Sequence, residues 1–196
     1  MSNLTTNDTQ LFVGIDVGST TTKIVAINPE KHEILLSDYK RHNAAQAQSV
    51  QDALAFFEAK FPNARIRLAL TGSGAKHLAE ALGCCYIQEV VANSIALQKE
   101  YDNVGTAIEL GGQDAKMIFF RRDPSTQTLN VADMRMNGSC AGGTGAFIDE
   151  IASILKVPVE EFNELASQGS CIYDISGRCG VYAKTDIQPL LNQGIS

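Results

Sequence analysis

Apolar residues dominate 11–16 (LFVGID) and 23–28 (KIVAIN), with a Gly-Ser-Thr turn between the two runs, and a third short run opens at 34–39 (ILLSDY). Short apolar runs rich in Val, Ile and Leu and bounded by turn residues read as strands, so the opening of the chain is predicted to be an antiparallel meander. From 47 to 60 the apolar residues recur every three or four positions, setting Val50, Leu54, Phe57 and Phe61 on one side. A helix is predicted there, stopped by Pro62-Asn63 before a strand over 66–71. A second helix over 75–82, a short strand near Tyr86 and a helix over 92–101 follow, and a new strand opens at 104–109.

That new strand restarts the opening pattern. Residues 15–27 (IDVGSTTTKIVAI) overlay residues 108–120 (IELGGQDAKMIFF) at a constant offset of 93, pairing Ile15 with Ile108, Asp16 with Glu109, Gly18 with Gly111 and Lys23 with Lys116. Each copy is an apolar strand ending in a carboxylate, a glycine turn and a second apolar strand, and a third strand comes next, over 129–134 in the second copy. An internal duplication explains the shared order of acid, glycine and lysine better than chance does. The expected organisation is a polar arm over 1–10, a first lobe over 11–102 and a second lobe of like α/β fold over 103–196. In the second lobe 123–128 reads as a hairpin tip and 146–155 as a helix with Phe147, Ile151 and Leu155 on its apolar face. Residues 158–168 read as a short helix and 183–192 as a last one. The chain then stops without the elements that would complete a second lobe, so the pattern reads as the first part of a longer domain.

Glycine and small hydroxyl residues let a main chain approach phosphate oxygens closely. Two such hairpins facing one another suit a polyphosphate, with Gly18, Ser19, Thr20 and Thr21 holding one end and Gly111, Gly112 and Gln113 the other. Asp16, Glu109 and Asp114 supply oxygens suited to magnesium, Asp16 foremost, and Lys23 neutralises phosphate charge. Hydrolysis then needs a residue that orients a water in line with the terminal phosphate, a role open to Gln113, Asp114 or Glu109. A lone hairpin of this kind is more often an ordinary tight turn with a solvated acid; the duplication is what favours the phosphate reading. Thr71-Gly72-Ser73-Gly74 is either a further phosphate or hinge loop, or a plain strand-to-helix turn.

Composition narrows the classes. Sixteen Lys and Arg against 22 Asp and Glu leave a formal charge of −6 with no basic run, so neither nucleic acid nor an acidic membrane is an expected partner. No apolar stretch approaches the ~20 residues of a membrane-spanning helix, and residues 1–10 lack the order of a signal peptide; a cytoplasmic protein is expected. The five cysteines are Cys84, Cys85, Cys140, Cys171 and Cys179, an odd number better suited to reduced thiols or metal ligands than to a disulfide frame. Cys140 lies in the glycine-rich run 137–145 (NGSCAGGTG) at the mouth of a predicted helix, and Cys179 lies in Gly177-Arg178-Cys179-Gly180, again just ahead of one. Helix N-termini stabilise thiolate. Two such thiols are half of what an iron-sulfur cluster generally takes, leaving the other two to a second copy, unless both are simply small buried side chains.

In this order, GIDVGSTTTK, TGSG, ELGGQDAK, NGSCAGGTGAFID and GRCGVYAKTD resemble the activator ATPases of 2-hydroxyacyl-CoA dehydratases and benzoyl-CoA reductases, over nearly the whole chain from Leu11. The first motif is shared with sugar kinases, heat-shock chaperones and actins; the two cysteine motifs are the specific ones. The resemblance implies an actin-like (ribonuclease H-like) ATPase fold of duplicated lobes, with MgATP between them and Gly142, Gly143 and Thr144 among the nucleotide-binding residues. It also implies a homodimer bridged by one [4Fe-4S] cluster on Cys140 and Cys179 of each copy. An electron donor such as ferredoxin or flavodoxin, and a dehydratase or reductase component that receives the electron, are the implied partners. Glu109 stands where Asp is usual, TGSGAK replaces TGYGR, and ELGGQDAK with AKTDI is similar to the large, multi-domain activators. Cys84, Cys85 and Cys171 match no ligand position and are expected to be structural. A sugar-type kinase of the same fold and a metal-stabilised module without catalysis are the competing readings.

Overall fold

The computed structural model describes residues 10–101, 103–138 and 142–195, which form two compact units. One comprises the chain up to Val104 with Arg121–Asn130, the other Gly105–Phe120 with Val131 onward.

The first unit is built on a five-stranded sheet. β1 (Gln10–Val17), β2 (Thr21–Ile27) and β3 (Ile34–Arg41) form the expected antiparallel meander, and α1 (Gln46–Lys60) carries the chain across to β4 (Arg65–Thr71), which lies parallel to β1. The sheet order is β3-β2-β1-β4-β5, with β5 (Cys85–Tyr86) beyond α2 (Lys76–Leu82). β1 is therefore flanked on both sides, and its alternate residues Leu11, Val13, Ile15 and Val17 are buried. They pack with Ile24, Ala26, Leu70 and the α1 residues Val50, Ala53 and Phe57. Of the expected face of α1, Leu54 and Phe61 are partly buried against this core. α3 (Glu89–Glu100) starts three residues earlier than its apolar spacing predicts, because Gln88 is extended and Glu89 provides a negative charge in the first turn.

β6 (Thr106–Leu110), β7 (Ala115–Arg122) and β8 (Leu129–Met136) form a three-stranded sheet in chain order, most of whose residues belong to the second unit. α4 (Gly145–Leu155) buries Ile151 and Ala152, whereas Leu155, expected on the apolar face, is 37% exposed because the helix ends there on a left-handed Lys156. A single 3₁₀ turn (Val159–Glu161) leads into α5 (Phe162–Gln168), and α6 (Gly180–Asn192) begins directly after Cys179. The first turn of α6 escaped the sequence reading because Gly180 opens it and Val181 and Tyr182 are exposed, leaving no buried periodicity to detect. No helix among the described residues is long and apolar enough to cross a membrane.

Candidate functional site

The repeat seen in the sequence is repeated in hydrogen bonds. In the first unit Asp16 and Lys23 are cross-strand neighbours, and Lys23 Nζ lies 2.6 Å from Asp16 Oδ2. Between them the turn closes with the Gly18 N–H donating to the Thr21 carbonyl at 2.9 Å. In the second unit Glu109 and Lys116 are cross-strand neighbours 3.3 Å apart, and the Gly111 N–H donates to the Asp114 carbonyl at 2.8 Å. The acid–lysine pair and the closing hydrogen bond of the first turn each have a counterpart 93 residues on, as an internal duplication predicts and as two unrelated turns would rarely reproduce.

The surroundings of the two turns differ. Asp16 Oδ1 is buried with no hydrogen-bond partner, as is the hydroxyl of Thr71, which sits beside Asp16 on the neighbouring strand β4. Buried oxygens are seldom left unpaired, so this pair fits a cation or its water shell, and magnesium, which keeps most of its water, is suited to such a place. The Thr71-Gly72-Ser73-Gly74 loop closes around Asp16, with the Gly74 N–H donating to the Val17 carbonyl at 2.9 Å. Gly72 has a φ of +98°, and a Cβ on it would lie 2.4 Å from Asp16 Oδ1. Ser19 and Thr20 are half-buried and Thr21 is buried.

Around the second turn, Lys116 is 8% exposed and lies 3.3 Å from both Glu109 Oε1 and Asp114 Oδ2. It ties two of the three candidate water-orienting residues together, while Gln113 at the turn tip is exposed. A Cβ on Gly111 would fall 2.6 Å from Asp114 Oδ1, so the tight turn needs glycine there. The GGTG loop is anchored on this turn: the Gly145 N–H donates to the Gly111 carbonyl at 3.0 Å and the Ala146 N–H to the Gly112 carbonyl at 2.7 Å. Thr144, the N-cap residue of α4, is 1% exposed. Gly142 is half-buried, and Gly143 is exposed with a φ of +82°.

The same loop meets the start of α6. A Cβ on Gly180 would lie 3.0 Å from the Phe147 ring and 3.5 Å from Gly142 Cα, so the segment bearing Cys179 packs on the segment that follows Cys140. Cys140 itself lies outside the described residues. Cys179 is the N-cap residue of α6 and a half-buried free thiol, a setting that fits a thiolate ligand near a surface. Among the described residues no three His, Cys, Asp or Glu side chains gather into a metal-binding group. Of the remaining cysteines, Cys85 and Cys171 are exposed, and burial pushes the Cys84 thiol above its usual range.

One residue at the site escaped the sequence reading. His42, 5% exposed, lies 3.0 Å through Nε2 from the Gly18 carbonyl oxygen. It follows a strand of mixed composition and belongs to no motif, so nothing in its neighbourhood announced it.

The sequence pattern of the BadF/BadG/BcrA/BcrD ATPase family matches residues 13–196. The chain belongs to that family. Among relatives of this BadF/BadG/BcrA/BcrD-type chain, the (R)-2-hydroxyglutaryl-CoA dehydratase activating ATPase of Acidaminococcus fermentans is 30% identical over 184 residues, covering 93% of the chain and 68% of the relative. The activator of lactoyl-CoA dehydratase from Anaerotignum propionicum is 28% identical over 187 residues, covering 94% and 69%. The solved structure of the activator of the 2-hydroxyisocaproyl-CoA dehydratase from Clostridium difficile, with bound ADPNP, superposes with a TM-score of 0.77 at 25% identity, covering 94% of this chain and 66% of that one. The fold is thus the actin-like α/β ATPase fold expected from the sequence, and the chain spans about two thirds of the length of these relatives.

Proposed function

We propose that the chain is the nucleotide- and cluster-binding part of an ATP-hydrolysing activator that delivers an electron to a CoA-ester dehydratase or reductase. The observation that carries the nucleotide half is the pair of matched turns, each with its acid, its closing glycine and its lysine. The relatives named as activators, one of them solved with an ATP analogue, support the same reading.

Asp16 would hold magnesium, Gly18, Ser19, Thr20 and Thr21 would hold phosphate oxygens at the first turn, and Gly111 and Gly112 would do so at the second. Lys23 is held on Asp16 and offsets the charge that gathers there. Gln113, with Glu109 and Asp114 tied by Lys116, would orient the attacking water. Gly142, Gly143 and Thr144 would line the nucleotide from the loop that hydrogen-bonds the second turn. Such a site acts by positioning and by stabilising charge on the transferred phosphoryl group, with no covalent intermediate on the protein.

The packing of Gly180 on Gly142 supports the redox half, because it sets the residue that follows Cys179 against the segment that begins two residues after Cys140. Cys140 and Cys179 from each of two copies would make up the four-thiolate set that a [4Fe-4S] cluster takes, and the cluster would supply one-electron transfer. Cys179 stands at the mouth of α6, where the helix N-terminus favours a negatively charged ligand set. The partners are then a second copy of the chain, an electron donor of the ferredoxin or flavodoxin kind, and the acyl-CoA dehydratase or reductase component.

Iron and acid-labile sulfide, measured on protein purified without oxygen alongside its mass in solution, test this reading. About four irons per dimer, lost in both Cys140→Ser and Cys179→Ser with ATP hydrolysis retained, are expected. Colourless, iron-free wild-type protein would remove the electron-transfer half and leave an ATPase or kinase of this fold.

A further inference from the structure

We propose that His42 is a positioning residue for the first phosphate turn, aiming the amide N–H groups of Ser19 and Thr21 at the bound polyphosphate. The inference rests on the nucleotide reading above and adds a residue that lies outside every motif.

Three contacts define the role. The Ala44 N–H donates to His42 Nδ1 at 3.1 Å, and a backbone N–H only donates, so Nδ1 is the bare nitrogen and Nε2 carries the proton. That Nε2–H donates to the Gly18 carbonyl at 3.0 Å, 24 residues away. The backbone N–H of His42 donates in turn to the Thr20 carbonyl at 3.1 Å. One buried residue therefore holds two alternate carbonyls of the turn.

Peptide units are planar and trans, so the N–H of the following residue points opposite to each held carbonyl. With the carbonyls of Gly18 and Thr20 both drawn to His42, the N–H groups of Ser19 and Thr21 both face the other way. Neighbouring amides that converge on one side form an anion-binding concavity.

The chain accepts strain to build this. Asn43 and Ala44 have φ values of 47° and 66°, and left-handed backbone is uncommon at Ala. It is this reversal that returns the Ala44 N–H to His42 Nδ1, and the Ala45 N–H to the His42 carbonyl at 2.7 Å.

ATP hydrolysis by the full-length protein decides the matter, with KM and kcat measured for wild type, His42→Ala, His42→Gln and His42→Phe, each beside its melting temperature. Glutamine reaches the Nε2 position with an N–H; phenylalanine fills the space without one, which keeps the test open where alanine fails to fold. Expected are KM values for ATP raised about tenfold in the Ala and Phe variants, the loss of one hydrogen bond of ordinary strength, with kcat within about twofold and most of the KM recovered by Gln. A wild-type KM in His42→Phe, or a Gln variant no better than Phe, overturns the assignment even if both proteins melt early. Wild-type protein that neither binds nor hydrolyses ATP overturns the nucleotide reading, and the role of His42 with it.

Discussion

Gly72 and Asp16 are in contact so close that a single added carbon has no room: a Cβ on Gly72 would lie 2.4 Å from Asp16 Oδ1 and 2.4 Å from the Val17 carbonyl oxygen. The backbone of Gly72, at φ +98°, is itself one that side chains rarely adopt. Gly72→Ala is expected to lower the unfolding free energy by about 2 kcal/mol or more and to abolish the stabilisation that MgATP confers. Gly83→Ala is the control, since Gly83 also has a positive φ of 63° but nothing within 4 Å of its Cβ position. Urea titrations with and without MgATP check this. Equal losses in the two variants would mean that the contact with Asp16 adds nothing.

Lys116 holds Glu109 and Asp114 at 3.3 Å each with its own side chain only 8% exposed. Lys116→Met keeps the volume but leaves two carboxylates facing one another. Because both acids are partly exposed, a loss of about 1–2 kcal/mol is expected rather than the larger figure for a fully buried pair. Added salt screens both the wild-type attraction and the variant's repulsion, so the deficit should shrink with ionic strength. A deficit independent of salt would assign the effect to packing.

Gly180 leaves 3.0 Å between its Cβ position and the Phe147 ring. Gly180→Ala forces the ring or α6 to shift, at about 1 kcal/mol or more, and loosens the packing of the start of α6 on Gly142 and Phe147. Iron content of anaerobically purified protein should fall well below that of wild type, whereas Gly105→Ala, with nothing within 4 Å, should leave it unchanged. Full iron in Gly180→Ala would separate the proposed cluster from this contact.

Asp123 accepts hydrogen bonds from the Ser125 hydroxyl at 2.6 Å, the Ser125 N–H at 2.8 Å and the Thr126 N–H at 3.0 Å. Led by the Ser125 hydroxyl, these hold its carboxyl at about 2, below the ordinary 3.8. A depressed folded value means that the turn's contribution is complete above pH ~4 and is lost as pH falls toward 2. Carboxyl-carbon NMR titration should give a midpoint near 2 in wild type and near the ordinary value in Ser125→Ala only if the backbone donors are lost as well. An ordinary midpoint in wild type would show that the turn is open in solution.

What the residues determined by themselves is what lies close along the chain. The acid, glycine and lysine of each turn are within seven positions, and a hairpin whose register is fixed by its short glycine turn brings them together. Hence both glycine hairpins, their shared pattern, the strands and most helices were legible, as was the helix-mouth setting of Cys179. The tertiary structure decided the contacts between distant segments. His42 reaches Gly18 because β3 ends beside the β1–β2 turn, Gly72 touches Asp16 because α1 returns the chain to lay β4 parallel to β1, and Gly180 packs on Gly142 because α4 and α6 meet. None of these pairs leaves a periodic trace, since a crossover joins segments whose separation in sequence bears no relation to the strand or helix repeat.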